Sequence, residues 1–136
     1  MAECPFCAAA SGKLDAVEVW SSPEVFAFLD HRPVFKGHVL VLPRAHVVVL
    51  ADLAADAVGP YFLAVQLIAN AVEAGLGAGG TFVALNNRVS QSVPHLHTHV
   101  VPRTKGDGLR GFFWPRTKYE SPEEAAEYAA KIAGAM

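Results

Sequence analysis

Three of the chain's six histidines stand at i, i+2 and i+4 in one stretch, Gln-Ser-Val-Pro-His-Leu-His-Thr-His-Val-Val-Pro-Arg, residues 91–103. An extended strand turns successive side chains to opposite faces, so His95, His97 and His99 share one face, with Leu96, Thr98 and Val100 on the other. On a helix of about 3.6 residues per turn the same three would be spread around the axis, each roughly 200° from the last. A strand is the regular structure that makes this spacing a site.

The rest of the chain must build a sheet to carry that strand. At 136 residues it suits one domain, 1–136, with room for a real core. Hydrophobic residues make up 52% and charged residues 18%, a balance for folding rather than disorder. The net charge of -2 and the absence of a basic run argue against a nucleic-acid polymer as partner, while leaving a single nucleotide open. The first residues do not join a basic region to a long apolar run, so no signal peptide is expected. No uninterrupted apolar stretch nears the roughly 20 residues of a membrane helix. The expectation is a cytoplasmic chain, no membrane partner, and two reduced cysteines.

Cys4-Pro-Phe-Cys7 suits two buried thiols, a redox pair or half of a zinc site. Runs of Val, Trp, Phe and Leu at 16–21 and 25–30, parted by Ser-Ser-Pro, predict two strands joined by a tight turn. A third strand is expected at 38–42, closed by Pro43, which cannot donate to a ladder. His38 starts it and His46 follows it; for either alone a structural or surface role competes with a functional one. A helix is expected from Asp52 to about Leu76, capped by Asp52 or Asp56 and stopped by Gly75 and Gly77. Gly59-Pro60 suits the start of its main body, after a short turn. Tyr61, Val65, Ile68 and Val72 form the stripe that packs on the sheet.

Residues 77–80 are a glycine-rich connection without the context of a phosphate-binding loop. Strands at 81–85 and 95–101 are expected to pair antiparallel across the loop 86–90. Residues 105–108 read as a flexible loop. The aromatics and arginine of 111–116 suit core, subunit contact or base stacking. Ser121-Pro-Glu-Glu124 matches a capping box, which predicts a terminal helix over 122–133. The fold expected is α+β: a five-stranded antiparallel sheet, one long helix across it, and a C-terminal helix.

Adjacent imidazoles can bind a metal, form an incidental polar face, or do nucleophilic chemistry at phosphorus. For the last, His97 in the middle is best placed, with one neighbour orienting its ring and another donating a proton to the leaving group. Gln91, Ser92 and nearby backbone amides can hold charge on the non-bridging oxygens.

His95-Leu-His97-Thr-His99-Val-Val101 resembles the signature of the histidine-triad (HIT) family, His-φ-His-φ-His-φ-φ with φ hydrophobic. Phe28-Leu-Asp30 with Pro33, then Gly37-His38-Val-Leu-Val-Leu-Pro43 with His46, is similar to the family's second motif. Gln91-Ser92-Val93 is similar to its Gln-Ser/Thr-Val/Ile. The resemblance spans about residues 3–104, leaving the tail from Lys105 outside the common core. Thr98 departs from φ on the face away from the chemistry. The loop before Gln91 is shorter than usual, and Ser90 stands where glycine is common.

The resemblance implies a nucleotidyl hydrolase or transferase acting at the α-phosphate through a nucleotidyl–His97 intermediate. His99 then contacts phosphate and helps proton transfer, His38 joins the network, and Asp30 holds the ribose. Asn86 or Asn87 contacts phosphate or ribose. Members that open with CxxC imply a structural zinc on Cys4, Cys7, His46 and His95, a closed set with no position for a metal-bound water. No organic cofactor is implied. The implied substrate is a purine phosphoramidate or dinucleoside polyphosphate. The implied assembly is a homodimer with continuous sheets; from their place in the tail and their aromatics, Trp114 among them, residues 111–116 are expected to reach the partner's site. Two rivals from other classes remain: a nucleotide-binding regulatory or scaffold protein with little turnover, and a purely metal-binding protein.

Overall fold

The computed structural model describes residues 3–109 and 115–136. In chain order its elements are α1 (Pro5–Ala10), β1 (Glu18–Ser21), β2 (Val25–Leu29), β3 (Val39–Pro43), a 3-10 turn (Leu50–Asp52), α2 (Ala55–Leu76), β4 (Gly80–Leu85), β5 (Thr98–Arg103) and α3 (Pro122–Gly134). The strands form one sheet in the order β1-β2-β3-β5-β4, every neighbouring pair antiparallel. This is the expected α+β architecture, with α1 as an addition.

The two faces of the sheet are built differently. On one, Val25, Ala27, Val39, Val41 and Val100 meet Tyr61, Ala64, Val65, Ile68 and Val72 of α2 in the main core. Losing a side chain such as Ile68, 2% exposed, to alanine costs about 2–5 kcal/mol at a site like this. On the other face Phe26, Phe28, Leu40 and Leu42 pack beneath Phe6, Ala9 and Ala10 of α1. Leu40 stands opposite His99 in the β3–β5 register, so His99 belongs to this second, thinly covered face. Thr98, opposite Val41, belongs to the α2 face.

There Thr98 does more than avoid the chemistry. Tyr61 donates its hydroxyl proton to the Val41 carbonyl at 2.8 Å, which leaves its oxygen to accept from the Thr98 hydroxyl at 2.6 Å. One buried network ties α2 to both central strands. Burial pushes the Tyr61 hydroxyl far above its ordinary pKa, so it stays a donor.

Helix boundaries correct two expectations. Ala54, not Asp52 or Asp56, is the N-cap of α2, and no side chain caps it. The Asp52 carboxylate is used one turn earlier, accepting from Val49 N at 3.3 Å. Asp56 lies inside the first turn, where its charge faces the positive helix end. Pro60 does not start the helix; it sits within α2, exposed, where water can serve the carbonyl its missing N–H leaves free. At the other end Gly77, at φ 64°, turns left-handed and its N–H closes on the Glu73 carbonyl, while Gly75 remains helical.

Ser121 caps α3 by accepting from Glu124 N at 3.1 Å, while the Glu124 carboxylate reaches one residue further back, to Glu120 N. No residue of α3 is buried. The 105–108 loop is clamped, since Asp107 takes two bonds from the Arg103 guanidinium and two more from Thr104 N and Leu109 N. That guanidinium, with the two amides, pulls the Asp107 carboxyl down to about 2. Among the described residues α2 is long and apolar enough to cross a membrane by length and composition. Its buried stripe on the sheet accounts for that composition as a core helix's. Most of the 111–116 segment, Trp114 included, lies outside the described residues.

Candidate active site and metal centre

β5 begins at Thr98, so His95 and His97 precede the ladder rather than belong to it. The expected strand 95–101 starts late because residue 96 bonds elsewhere: Leu96 N donates to the Val47 carbonyl at 2.7 Å. Alternation survives without the ladder. Leu96 and Thr98, 0% and 1% exposed, are drawn into the α2 core, which turns the three histidines to the opposite face. They do not form one row. The His97 and His99 rings lie 5.1 Å apart, whereas His95 pairs edge-on with His46 at 5.0 Å.

The hydrogen bonds assign each ring's protons. The His95 carbonyl can only accept, so His97 Nδ1, 2.7 Å away, carries the hydrogen. His97 Nε2 is left with an unshared pair. Val34 N donates to His38 Nδ1 at 3.1 Å, so His38 carries its proton on Nε2 and gives it to His99 Nδ1 at 2.9 Å. His99 therefore presents Nε2–H. Asp30 approaches His38 Nδ1 only to 3.8 Å, a charge nearby rather than a hydrogen bond.

Burial and then the charges of His97 and His38 push His99 down to about 4, against the pull of Asp30. His38 is lowered by burial as well. His99 is therefore neutral near pH 7, which the chain of single-proton hydrogen bonds requires.

Cys4, Cys7, His46 and His95 gather at the other end of the triad, their ligand atoms all within 4.8 Å of one another. Sulfur and nitrogen ligands of a tetrahedral zinc, at about 2.3 and 2.0–2.1 Å from the ion, stand about 3.5 Å apart. The distances from Cys4 Sγ to His95 Nδ1, Cys7 Sγ to His46 Nδ1 and Cys7 Sγ to His95 Nδ1 are 3.5, 3.4 and 3.6 Å. His95 donates Nε2–H to the Pro43 carbonyl at 2.8 Å, which leaves Nδ1 unprotonated toward the thiols. The donor set, its spacing and its outer hydrogen bond all fit zinc. Burial and the neighbouring Cys4 raise the Cys7 thiol pKa, and a bound cation reverses that tendency. Asp30, His38 and His99 also come within 4.8 Å, but both nitrogens of His38 are already hydrogen-bonded.

Two cavities open on the histidine face. One, about 660 Å³, is mostly apolar and runs from Phe6 and Ala9 to Phe28, Asp30 and His31. The other, about 800 Å³, is lined by Asp30, Arg32, His38, Asn86 and His99 among others. Asp30 borders both. His97, 4% exposed, lies between Phe6 of the first and His99 of the second, at ring distances of 4.9 and 5.1 Å.

The remaining expected residues separate by contact. Asn86 faces the second cavity, while Asn87 accepts from Leu50 N at 2.9 Å and braces the turn before α2. The Gln91 amide is engaged at both ends, donating to the Val48 carbonyl and accepting from Arg88 N. Ser92 is exposed. Ser90 and Arg88 are the described non-glycine residues at positive φ, 64° and 70°, so Ser90 holds the conformation that glycine adopts freely. Phe6 was missed as a site residue, although its place between the two cysteines was a signal. The Pro43 and His95 carbonyls and the Val34 amide have no sequence signal at all.

Comparison with known proteins agrees with this geometry. A family model of the HIT domain matches residues 11–106. An uncharacterized HIT-like protein of Mycobacterium tuberculosis is 38% identical over 108 residues, 78% of this chain and 75% of its own. The adenosine 5'-monophosphoramidase of Schizosaccharomyces pombe is 30% identical over 131 residues, 95% of each chain. The crystal structure of a HIT family member from Bacillus subtilis superposes with a TM-score of 0.89 at 32% identity, covering 99% of this chain and 98% of its own. A zinc-bound histidine-triad protein of Mycobacterium smegmatis superposes with a TM-score of 0.74 at 35% identity, covering 98% and 97%. The sheet, the triad and the Cys/His cluster thus stand in a recognised setting: this chain is a member of the histidine-triad family.

Proposed function

We propose that the protein hydrolyses a purine nucleoside phosphoramidate or a dinucleoside polyphosphate at the α-phosphorus, through a nucleotidyl–His97 intermediate. The observation that carries this reading is the tautomer of His97. Its Nδ1–H is spent on the His95 carbonyl, so Nε2 is a neutral nucleophile aimed away from the backbone.

The anionic α-phosphate beside His99 raises the proton affinity of that ring, so His99 enters the complex with a proton taken from solvent. His97 Nε2 attacks phosphorus, the P–N or P–O bond to the leaving group breaks, and His99 gives the leaving group its proton. Water then attacks phosphorus and gives a proton to His99. The P–Nε2 bond breaks with its electron pair returning to His97. In the resting site His38, donating to His99 Nδ1, keeps the His99 Nε2 side turned to the reaction; the proton added on substrate binding occupies Nδ1 and displaces that bond. Asp30 takes the ribose hydroxyls, Asn86 the phosphate or ribose in preference to Asn87, and the apolar cavity the base. Gln91 acts through the loop it braces, and Ser92 is free to meet a phosphate oxygen.

Zinc on Cys4, Cys7, His46 and His95 supplies structure, since four protein ligands leave no place for a reactive water. The homodimer reading is supported by β4 being an edge strand among the described residues, with Val83 44% exposed on it and Leu63 and Leu67 exposed on α2. The chain is proposed to act as one domain.

The test is a panel of adenosine phosphoramidate and diadenosine polyphosphates on wild type and His97→Ala, with metal measured on the same samples. His97→Ala should lose at least about 10³-fold in turnover while keeping its zinc. Wild-type rates from His97→Ala would refute the reading. AMP binding without turnover of any substrate would point to a regulatory role. Turnover of one substrate class alone would decide between phosphoramidase and polyphosphate hydrolase.

A further inference from the structure

We infer that metal binding at the Cys/His centre and nucleoside binding in the apolar cavity are thermodynamically linked, and that Phe6 is the positioning residue that links them. The inference rests on the reading of that cavity as the nucleoside site.

α1 has six residues, too few to hold a helix by itself. It is fixed from outside at both ends. At its start the Cys4 and Cys7 sulfurs meet His95 and His46, which belong to segments far along the chain. At its end Arg44 donates to the Ala10 carbonyl at 2.7 Å. The metal-ligand set is thus an anchorage of the helix start that a metal ion can add or remove.

Phe6 lies between the two cysteines and therefore goes where they go. Its ring meets Phe28 edge-on at 5.5 Å and His97 edge-on at 4.9 Å. With Pro5 and Ala9 it also forms the α1 wall of the cavity whose other side is Phe28, Leu29 and Asp30. A metal ion that holds both sulfurs against His46 and His95 holds this wall in place. Without it the wall is held by its apolar packing on the sheet and by Arg44, and the part of its ordering that the metal supplied is drawn from nucleoside affinity. The coupling must run both ways: the factor by which metal tightens the nucleotide is the factor by which the nucleotide tightens the metal.

The test measures AMP affinity by calorimetry on zinc-loaded and zinc-stripped protein, and zinc affinity by chelator competition with and without saturating AMP. We expect both affinities to change by one common factor of about ten. Hydrogen exchange at residues 5–10 should speed up on stripping and slow again with AMP. Phe6→Ala, which keeps all four ligands, should bind zinc, weaken AMP about fivefold or more, and abolish the effect of each ligand on the other. Val17→Ala, altering the cavity wall outside α1, should weaken AMP yet keep the common factor.

AMP affinity equal with and without zinc would overturn the linkage while leaving the nucleotide reading intact. Failure of the loaded wild type to bind AMP would instead overturn that reading. Should stripping unfold the whole chain, Phe6→Ala decides in the loaded state, where wild-type AMP affinity overturns the inference.

Discussion

The nucleophilic role proposed for His97 depends on a group that no side-chain pattern reveals, the carbonyl of His95 two residues before it. The same residue carries the ring that meets Cys4 and Cys7, so the orientation of His97 and the Cys/His cluster share one residue. The assigned protons are directly measurable. Nitrogen-detected histidine spectra at pH 7 should show His97 protonated on Nδ1, and His38 and His99 on Nε2. The reverse tautomer of His97 would remove the nucleophile. Acid should act through His99, held at about 4 against an ordinary 6.5. Its folded pKa is depressed, so its contribution to stability is complete above pH 6.5 and is lost as pH falls through about 4. Thermal unfolding followed from pH 7 to 4 should therefore fall more steeply in wild type than in His99→Gln. Ser90, at φ 64°, marks backbone strain beside Gln91. Ser90→Gly should raise stability by up to about 1 kcal/mol in urea titration.

At the scale of elements, the sheet is a partition between a packed side and a reactive side. Its α2 side is closed by a stripe whose polar member, Tyr61, locks Val41 and Thr98. Tyr61→Phe leaves the Thr98 hydroxyl, 1% exposed, without its partner and should cost about 1–3 kcal/mol in denaturant unfolding. Adding Thr98→Val should return part of that loss, because the stranded hydroxyl goes with it. A double variant no more stable than Tyr61→Phe would remove this account. Among the described elements the other side has only α1 above it, which leaves room for both cavities next to the histidines. α1, expected only as a CxxC segment that could supply zinc ligands, thus also lines the first cavity.

For the whole molecule, the order β1-β2-β3-β5-β4 makes β4 an edge strand among the described residues, with Val83 exposed on it and Leu63 and Leu67 exposed on α2. A dimer built there should show in light scattering, and Val83→Lys with Leu67→Glu should yield a monomer with the fold retained. A wild-type monomer at assay concentration would sink that reading. α3, with nothing buried and Tyr128 and Ile132 outward, is a further surface such a dimer would use. Five strands, the long helix and the terminal helix were legible because alternation, the 3.6-residue stripe and the Ser121 cap are local and written in side chains. The triad's shared face was legible for the same reason. Its division was legible only in part: the middle place favours His97 for nucleophilic chemistry, while the zinc role of His95 and the phosphate role of His99 came from the resemblance. In the fold they differ because His95 is turned to two thiols some ninety residues away in sequence and to the Pro43 carbonyl, His97 to a backbone oxygen, and His99 to His38. Local periodicity determined which residues share a face. Which nitrogen is free, which asparagine meets the cavity and what Phe6 touches were decided by long-range contacts and backbone groups, which no local pattern encodes.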